Sequence, residues 1–443
     1  MRTVDHAADD FDGDRFEALP ERVRDALGEL VGAAKEGLLA LSVGVGLGVL
    51  GELLEAEVDD VVGPRGKHNP DRVAVRHGHE AGEVTLGGRR VAVERPRVRA
   101  ADGSREVPLQ TYRHFAARDA LSAVVLERML AGVSTRRYER TQEPVGADVE
   151  QAARSTSKSA ISREFVARTH ETLAELMSRR LDDVRLAVLM IDGICLKERT
   201  NVVALGITTD GVKIPLGLWD GSTENATVAT ALLADLVDRG LDVEQGVLVV
   251  LDGSKALRKA VRDVLGPVPV QRCVRHKERN VLEHLPERDR PPIKRRLRAA
   301  WALEDHDRAL EQLNQLAGEL DRSRPGAAAS LREGLQETLT LTRLGVRGKL
   351  RQTLASTNPC ESMIECVRRS ARNVKHWQSG EMCLRWTAAG MLEAERQFRR
   401  IIGHSDLAKL AIAVERDVAR ARAAANMHTP AMPTEKAATL ATA

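Results

Sequence analysis

The sequence predicts an α/β protein in which a central sheet follows helical and hairpin segments and is interrupted by an all-helical stretch. Two apolar runs predict the sheet: residues 186–191 lead into Asp192-Gly193, and residues 247–251 lead into Asp252-Gly253. Short apolar runs closed by turn residues are typical of buried strands. The interruption is predicted from residues 279–351, which are rich in Leu, Arg and Glu and contain no strand pattern.

The composition is typical of a soluble, reduced protein. Its 443 residues suffice for two or three domains, and because only 2% are aromatic, Leu, Val and Ala must fill the cores. Five scattered cysteines argue against a disulfide framework or a zinc ribbon and favour a cytoplasmic location. We expect no signal peptide and no membrane partner, because the apolar stretch 37–51 is shorter than the roughly 20 residues that span a bilayer.

The first part of the chain is predicted to be a DNA-binding region preceded by helices. Residues 1–65 form the N-terminal helical segment, because their apolar residues recur at mostly helical spacing. In the following region, 66–182, residues 72–99 carry seven Arg against three Glu, and Gly87-Gly88 predicts a hairpin turn. Such a basic hairpin either contacts a phosphate backbone or is a solvated sheet face.

Two further stretches of this region resemble the start of a helix-turn-helix. Residues 119–130 form an apolar helix followed by a Gly turn and a basic segment at 134–138, and residues 155–166 form a second capped helix. Hydroxyl groups and cations near a helix start suit phosphate and base-edge contacts. The residues predicted to bind DNA in this region are Arg89, Arg90, Arg136, Arg137, Lys158 and Arg163.

The remaining chain is predicted to hold an RNase H-like catalytic core. Residues 183–280 indicate a three-stranded antiparallel meander followed by α/β units, with Asp192 on the first strand and Asp252 on the fourth. Residues 350–400 complete this core, residues 281–349 are an inserted helical domain, and residues 401–443 are a C-terminal helix and tail. Both aspartates are expected at the exits of their strands, at one edge of the sheet.

Paired carboxylates at a sheet edge suit hard cations such as Mg²⁺, which prefers oxygen ligands. Two such ions can drive phosphodiester displacement, and a third carboxylate from a helix completes the usual ligand set. Glu361 and Glu365 are the candidates, one helical turn apart. Glu361 also fits a structural role, because Asn358 at the N-cap followed by Pro359 would make a variant capping box with it.

A resemblance to a known family distinguishes these candidates. Asp192, Asp252 and the stretch 357–362 resemble the DDE triad of the Mutator-type bacterial insertion-sequence transposases. Residues 271–280 resemble that family's Cys-x-x-His signature, with Cys273 and His276, and the long helical insertion agrees. The resemblance covers roughly residues 70–400, and its one departure is the Pro-Cys pair before Glu361, where many members carry apolar residues.

The resemblance implies that Asp192, Asp252 and Glu361 are catalytic and hold Mg²⁺, with Mn²⁺ as a substitute and Glu365 as the fallback third ligand. It implies a DNA transposase that binds the terminal inverted repeats of its insertion sequence and catalyses strand cleavage and strand transfer. Cys273 and His276 would lie beside the active site, where two ligands are too few for a closed zinc site.

The resemblance also bears on the partners. They would be double-stranded DNA, at the repeats and at the target, and further copies of the chain in a homo-oligomeric complex. DNA phosphates would also meet a basic run after the third carboxylate, unless that run is a solvated face; it comprises Arg368, Arg369, Arg372 and Lys375. Two alternatives stay open: another RNase H-like nuclease such as a junction resolvase, and a catalytically silent DNA-binding protein.

Overall fold

The computed structural model describes residues 38–67, 72–86, 89–116, 119–138, 153–154, 158–221 and 226–428. The chain divides into two compact units between Arg168 and Thr169, a boundary that falls inside one helix. Several predicted features lie outside the described residues: the helix before residue 38, the Gly87-Gly88 turn, the hydroxyl residues 155–157 and the tail after residue 428. Within the described chain, no helix combines the length and the apolar character needed to cross a membrane.

The first unit is built around a long two-stranded hairpin. Its elements, in chain order, are α1 (Leu38–Val62), β1 (Ala74–Leu86), β2 (Arg89–Ala100), β3 (Glu106–Val107), α2 (Gln110–Ala116), α3 (Asp119–Leu130) and β4 (Ala153–Arg154). Strands β1 and β2 pair antiparallel, as the sequence predicts, over a longer stretch than expected. Helix α1 packs on the hairpin, because Leu50, Leu54 and Val58 meet Val84 and Val98 in one apolar core.

Acidic side chains neutralise part of the charge of this basic hairpin. Arg76 pairs with Glu55 of α1 at 3.3 Å, and Arg97 pairs with Glu106 at 2.9 Å. Arg99, in contrast, is exposed. The local excess of arginine therefore overstates the charge that the hairpin offers to DNA.

The turn after α3 ends that helix without starting another within residues 131–138. Gly132 has a φ of 94°, and the amide of Val133 donates to the carbonyl of Arg128 at 2.9 Å, which closes the helix end. Residues 134–138 form turns, and residues 139–152 lie outside the described part. The predicted second helix of a helix-turn-helix therefore does not begin at Ser134, and the motif itself stays a prediction.

The second unit contains a five-stranded sheet. Helix α4 (Lys158–Ser178) leads into it, and the further elements are β5 (Leu186–Leu196), β6 (Arg199–Thr208), β7 (Lys213–Gly221), α5 (Ala226–Asp238), β8 (Leu248–Leu251), α6 (Lys255–Leu265) and β9 (Val270–Arg272). The strand order is β7-β6-β5-β8-β9, with an antiparallel meander through β5, β6 and β7 and parallel pairing of β5, β8 and β9. This order confirms the predicted meander followed by α/β units.

Strand β5 continues past Asp192, which corrects the prediction that this residue lies at the strand exit. Residues 193–196 remain paired with β6, because the meander holds the strand to Leu196. The parallel neighbour β8 ends earlier, since its last residue, Leu251, lies opposite Ile191. Asp192 therefore lies within its own strand but at the point where the neighbouring strand stops.

Side chains alternate between the two faces of the sheet. Leu189 and Ile191 of β5 join Val249 and Leu251 of β8 in an apolar core with α5 and α6. Asp192, one residue on, lies on the opposite face. That face is covered by later helices of the same unit.

Residues 274–354 contain no strand. Their helices are α7 (Val274–Glu283), α8 (Arg290–Ala302), α9 (His306–Ser323), α10 (Pro325–Arg332), α11 (Thr340–Arg343) and α12 (Gly348–Leu354), with short 3-10 turns at Glu287–Asp289 and Gln336–Leu339. We call residues 274–354 the helical segment. Its apolar side chains, among them Leu297, Leu313 and Leu331, form a core separate from that of the sheet.

The chain then returns to the sheet. Three helices follow: α13 (Asn358–Ser370), α14 (Gly380–Gln397) and, after a short 3-10 turn at His404–Asp406, α15 (Leu407–His428). Helix α13 packs against β5 and α14 packs against β6 and β7. The side-chain amide of Asn201 on β6 and the hydroxyl of Thr387 on α14 form a hydrogen bond at 2.9 Å, which fixes this contact inside the core.

Candidate active site

Asp192 and Asp252 lie side by side at the carboxyl end of β8. The register that places Ile191 opposite Leu251 puts the two following residues on the same face of the sheet. Backbone amides orient both carboxylates: Gly193 donates to Asp192 Oδ1 at 2.9 Å, and Ser254 donates to Asp252 Oδ1 at 2.8 Å. The sheet therefore brings together the two carboxylates that the sequence singled out.

Asp192 is a carboxyl group that the fold buries. Only 7% of the residue is exposed. Burial, followed by the negative charges of Asp252 and Glu361, raises the pKa of Asp192 to about 7, although His276 and the Gly193 amide act in the opposite direction. A carboxyl whose pKa is raised by burial and by a specific charged neighbour marks a candidate functional site.

Glu361 approaches this pair from α13. Its carboxylate accepts a hydrogen bond from the hydroxyl of Thr357 at 3.0 Å and lies 3.7 Å from His276 Nε2. The predicted capping box is wrong: the N-cap is Thr357, not Asn358, and no side chain caps the helix. The helix begins one residue earlier because the amide of Glu361 bonds to the carbonyl of Thr357 at 2.8 Å.

Glu365, the other candidate, is placed differently. It is exposed, and its charge acts on Arg369 further along α13. Glu361 is the one whose charge acts on Asp192. The structure thus brings Glu361, rather than Glu365, toward the two aspartates.

Cys273 joins β9 to the helical segment, and His276 lies in the first turn of α7. Cys273 is the N-cap of α7, and its amide donates to the carbonyl of Leu251 at 2.7 Å. The neighbouring Cys273 side chain, together with the charges of Asp192 and Asp252, raises the pKa of His276 to about 9 although burial opposes it. His276 is therefore cationic at neutral pH and faces the carboxylates.

The surroundings of Cys360 explain why a cysteine is tolerated directly before Glu361. It is fully buried, and burial, followed by the charges of Asp192 and Glu361, raises its pKa well above the ordinary value. The thiol stays protonated and packs as a small apolar side chain. The departure from the family pattern therefore preserves an apolar contact beside the carboxylates.

The carboxylate oxygens at this site suit a hard divalent cation, although the side chains are not gathered into a complete set of metal ligands. Asp192 and Asp252 offer carboxylate oxygens whose mutual repulsion a cation would relieve, and Mg²⁺ often takes only one or two protein carboxylates. Among the described residues, no group of three His, Cys, Asp or Glu side chains is close enough to hold a metal ion. Glu361, bonded to Thr357, would have to turn to join the pair.

The predicted DNA-binding residues are spread over both units. Lys158 and Arg163 are exposed on α4, and Arg136 and Arg137 are exposed in the turn after α3; the side chains of Arg89 and Arg90 at the start of β2 lie outside the described part. The run after Glu361 comprises Arg368, Arg369, Arg372 and Lys375, all exposed. Of this run, Arg369 contacts Cys366 Sγ at 3.4 Å.

No role was predicted for two residues that lie at the site. The hydroxyl of Thr357 lies 3.7 Å from Cys273 Sγ as well as bonding Glu361, so it links the Cys-x-x-His turn to α13. Arg272 packs against Gly253, directly after Asp252. Thr357 lies four residues before Glu361, about one helical turn, so their contact could have been predicted, whereas nothing in the sequence points to the Arg272 contact.

Proteins similar to this chain are transposases of insertion sequences. The transposase for insertion sequence element ISRM5 of Rhizobium meliloti (strain 1021) is 28% identical over 365 residues, which cover 81% of this chain and 89% of that protein. The transposase for IS1081 of Mycobacterium tuberculosis (strain ATCC 25618 / H37Rv) is 26% identical over 364 residues, or 79% and 84%. The transposase for IS256 in transposon Tn4001 of Staphylococcus aureus is 29% identical over 266 residues, or 58% and 65%.

The family to which this chain belongs is established by a family profile that matches most of its length. The profile of the Mutator family of transposases covers residues 33–400, which include both aspartates, the helical segment and α13. The chain belongs to the Mutator family of transposases. Both predictions, of this family and of an insertion-sequence transposase, are confirmed.

Proposed function

We propose that this transposase binds the terminal inverted repeats of its insertion sequence and catalyses strand cleavage and strand transfer at Asp192, Asp252 and Glu361. The observation that carries the proposal is the pairing of Asp192 with Asp252 at the end of β8, with the charge of Glu361 acting on the pair. The strand order and the two positions also support an RNase H-like core interrupted by the helical segment.

The reaction has two displacements at phosphorus. In cleavage, a water oxygen attacks the phosphorus at the element end, the bond to the 3′ oxygen breaks, and that oxygen takes up a proton. In strand transfer, the freed 3′-hydroxyl gives up its proton, attacks a target phosphorus and displaces the target's 3′ oxygen, which takes up a proton. Two Mg²⁺ ions, or Mn²⁺ in their place, would lower the pKa of the attacking group and neutralise charge on the leaving oxygen.

The protein's own residues orient the carboxylates. Asp192 and Asp252 would hold the metal ions, because a backbone amide fixes one oxygen of each carboxylate. Glu361 would complete the ligand set by turning from Thr357. The cationic His276, on the same side, would attract the phosphate that enters the site.

Exposed cations near the site would hold the DNA backbone. Arg368 follows Glu361 on α13, and Arg275 and Arg279 stand one turn apart on α7, the helix that carries His276. Within the part of the chain that the structure describes, none of these three has an acidic partner. DNA phosphates, which carry the opposite charge, would supply one.

The test is cleavage and joining of DNA that carries the element's own ends, with Mg²⁺ or Mn²⁺. We expect Asp192→Asn, Asp252→Asn and Glu361→Gln each to lower the rate by roughly a hundredfold or more, because each removes a charged ligand but keeps the shape of the side chain. Gel-shift binding to the same ends should persist in all three, since these residues are not proposed to bind the repeats.

Glu365→Gln is the matched control, because it makes the same change one turn along α13. It should retain activity within about threefold of the wild type, as expected for an exposed surface substitution. Loss of activity in Glu365→Gln with retention in Glu361→Gln would reject the proposed third ligand. End binding without cleavage in the wild type would favour the catalytically silent alternative, and cleavage of branched junctions without joining would favour a resolvase.

A further inference from the structure

Arg272, the last residue of β9, connects the Asp252 turn to the helical segment. It is only 5% exposed. Its Nη1 donates to the carbonyl of Glu333 at 2.9 Å, and its Nη2 donates to the Glu333 carboxylate at 3.3 Å. Arg272 thus reaches from the sheet to the end of α10.

The guanidinium of Arg272 is enclosed by two glycines. A Cβ atom added to Gly253 would lie 2.6 Å from Arg272 Nη2, and one added to Gly334 would lie 2.5 Å from Nη1. Both glycines have positive φ, 111° and 62°. Any side chain at either position would push the guanidinium away, so the contact requires glycine on both sides.

Gly253 is also part of the turn that orients a carboxylate. It lies between Asp252 and Ser254, whose amide donates to Asp252 Oδ1 at 2.8 Å. The Ser254 hydroxyl in turn accepts from the amide of Leu257, at the start of α6. A side chain that packs against Gly253 therefore also restrains the backbone turn that orients the Asp252 carboxylate.

Further polar contacts lie around the Glu333-Gly334 turn, some within the helical segment and one from β9. Lys277 Nζ donates to the carbonyls of Ser330 and Glu333, both at 2.5 Å. The Gln271 side chain donates to the carbonyl of Thr338 at 3.0 Å. Because these contacts hold the Glu333-Gly334 turn in place, the helical segment provides a rigid support on which Arg272 rests.

We propose that Arg272 is a positioning residue that transmits the placement of the helical segment to the Asp252 carboxylate through Gly253. The inference rests on the proposed function, in which Asp252 holds a catalytic metal ion. It assigns to the helical segment a role in the geometry of the active site. Without the planar guanidinium between the two glycines, the Asp252 turn would sample other conformations.

The test compares Arg272→Lys with Arg239→Lys. Lysine keeps the charge but lacks the planar fork. Arg239 is a matched control, because it is 7% exposed, bonds to the carbonyls of Leu176, Arg179 and Leu216, and packs against Gly217, away from the proposed site. Both variants lose a buried arginine, but only Arg272→Lys should disturb Asp252.

Two measurements on the full chain report the effect. Hydrogen exchange without metal follows the amide of Ser254, which we expect to exchange roughly fivefold faster in Arg272→Lys than in Arg239→Lys. Titration with Mn²⁺, followed by electron paramagnetic resonance, should show the half-saturating concentration raised about tenfold, as for other residues that orient metal ligands. A purely structural loss would change both variants alike.

Gly334→Ala gives a second variant if Arg272→Lys does not fold. Its added methyl group would displace the guanidinium from the helical side without touching the Asp252 turn, and both measurements should change as in Arg272→Lys. The control is Gly345→Ala, which also has positive φ, at 73°, but has no atom within 4 Å of the added Cβ.

The outcomes separate this inference from the proposed function. Exchange at Ser254 that is the same in Arg272→Lys and Gly334→Ala as in their controls would overturn the positioning role. A wild type that neither binds Mn²⁺ nor cleaves DNA would overturn the proposed metal chemistry, and the exchange comparison would then decide the role of Arg272 alone.

Discussion

The carboxyl group of Asp192 is buried, so little water solvates it. The nearby charge of Asp252 adds repulsion, and both effects make the ionised folded state less favourable. Such a residue lowers the stability of the protein, since an uncharged isostere would fit the same space. Replacing Asp192 should therefore raise that stability.

Asp192→Asn should stabilise the protein in buffer that contains EDTA. At pH 8 we expect the free energy of unfolding to rise by about 1–3 kcal/mol, because the substitution removes a buried charge that faces another carboxylate. Urea unfolding measures the change. Asp263→Asn is the control: that carboxylate is exposed and pairs with Lys259, so its loss should leave stability equal or slightly lower. A wild type more stable than Asp192→Asn would contradict the account of the site.

Lys277 should make stability depend on pH. It is completely buried, and burial followed by the charge of Arg272 lowers its pKa to about 8. Between pH 8 and the ordinary value of about 10.4, the unfolded chain binds more protons at this position than the folded chain. The free energy of unfolding should therefore rise with pH across this window, by about 1–3 kcal/mol.

Urea unfolding of the wild type and Lys277→Met at pH 8, 9 and 10 measures this contribution. The increase in the free energy of unfolding between pH 8 and pH 10 that Lys277 causes should be absent from Lys277→Met. This holds whatever the stability of that variant at pH 8. Lys255→Met is a control, because Lys255 pairs with the same Glu333 at 3.4 Å but its side chain is 87% exposed. Equal pH dependence in the wild type and Lys277→Met would show that the folded protein does not lower this pKa.

At the scale of elements, α13 and α14 touch closely enough to fix the position of Glu361. A Cβ atom added to Gly390 of α14 would lie 2.8 Å from the Cα of Val367 on α13. Backbone atoms cannot move aside as a flexible side chain can. The glycine is therefore needed for the distance between the two helices.

Gly390→Ala should separate these helices and displace Glu361. We expect a loss of about 1–3 kcal/mol in the free energy of unfolding, because the methyl group overpacks a full core. DNA cleavage should fall more than end binding. Gly318→Ala in α9 is the control: no atom lies within 4 Å of its added Cβ, so alanine should raise stability by about 0.5–1 kcal/mol through its helix propensity. Unchanged stability and cleavage in Gly390→Ala would show that the contact tolerates a methyl group.

The elements that the sequence predicted well carry strong local signals. The apolar runs before Asp192 and Asp252 defined two buried strands. The end of β5 was misplaced because its extension depends on pairing with β6, which a turn signal at Gly193 does not reveal. The N-cap of α13 was misplaced because Thr357, Asn358 and the following proline offer competing helix starts.

Contacts between distant segments could not be predicted. The enclosure of Arg272 depends on two glycine turns that come together only in the folded unit. In the sequence, each glycine by itself indicates an ordinary turn. The neutralisation of the hairpin arginines likewise depends on Glu55 from α1 and Glu106 from β3. Counting charges along the chain cannot anticipate such pairs.

For the whole molecule, the distribution of charge matters more than its sum. A formal net charge of +3 over 443 residues gives no general attraction to DNA. Local groups of cations without acidic partners must then supply the affinity. In the proposed function, Arg275 and Arg279 are such a group, on the helix that carries His276.

Replacing both Arg275 and Arg279 by alanine should weaken binding to the element ends and reduce its dependence on salt. The slope of log K against log salt should fall in magnitude by roughly 1–2, about one for each DNA phosphate that the variant no longer neutralises. Fluorescence anisotropy at several salt concentrations measures it. The matched control replaces Arg308 and Arg322, which are exposed on α9 of the same helical segment. A slope reduced equally by both double variants would indicate non-specific attraction.

Hydrogen bonds between residues far apart in the sequence of the second unit have a consequence for folding during translation. Arg385 on α14 bonds to Thr169 at 2.9 Å, and Arg179 bonds to Glu395 at 2.7 Å, each across 216 residues of chain. During translation, both aspartates leave the ribosome long before α14 exists to cover their face of the sheet. A message that stops before α14 would therefore yield a chain with an uncovered apolar face. Such a product should be degraded rather than persist as an inhibitor of the complete enzyme.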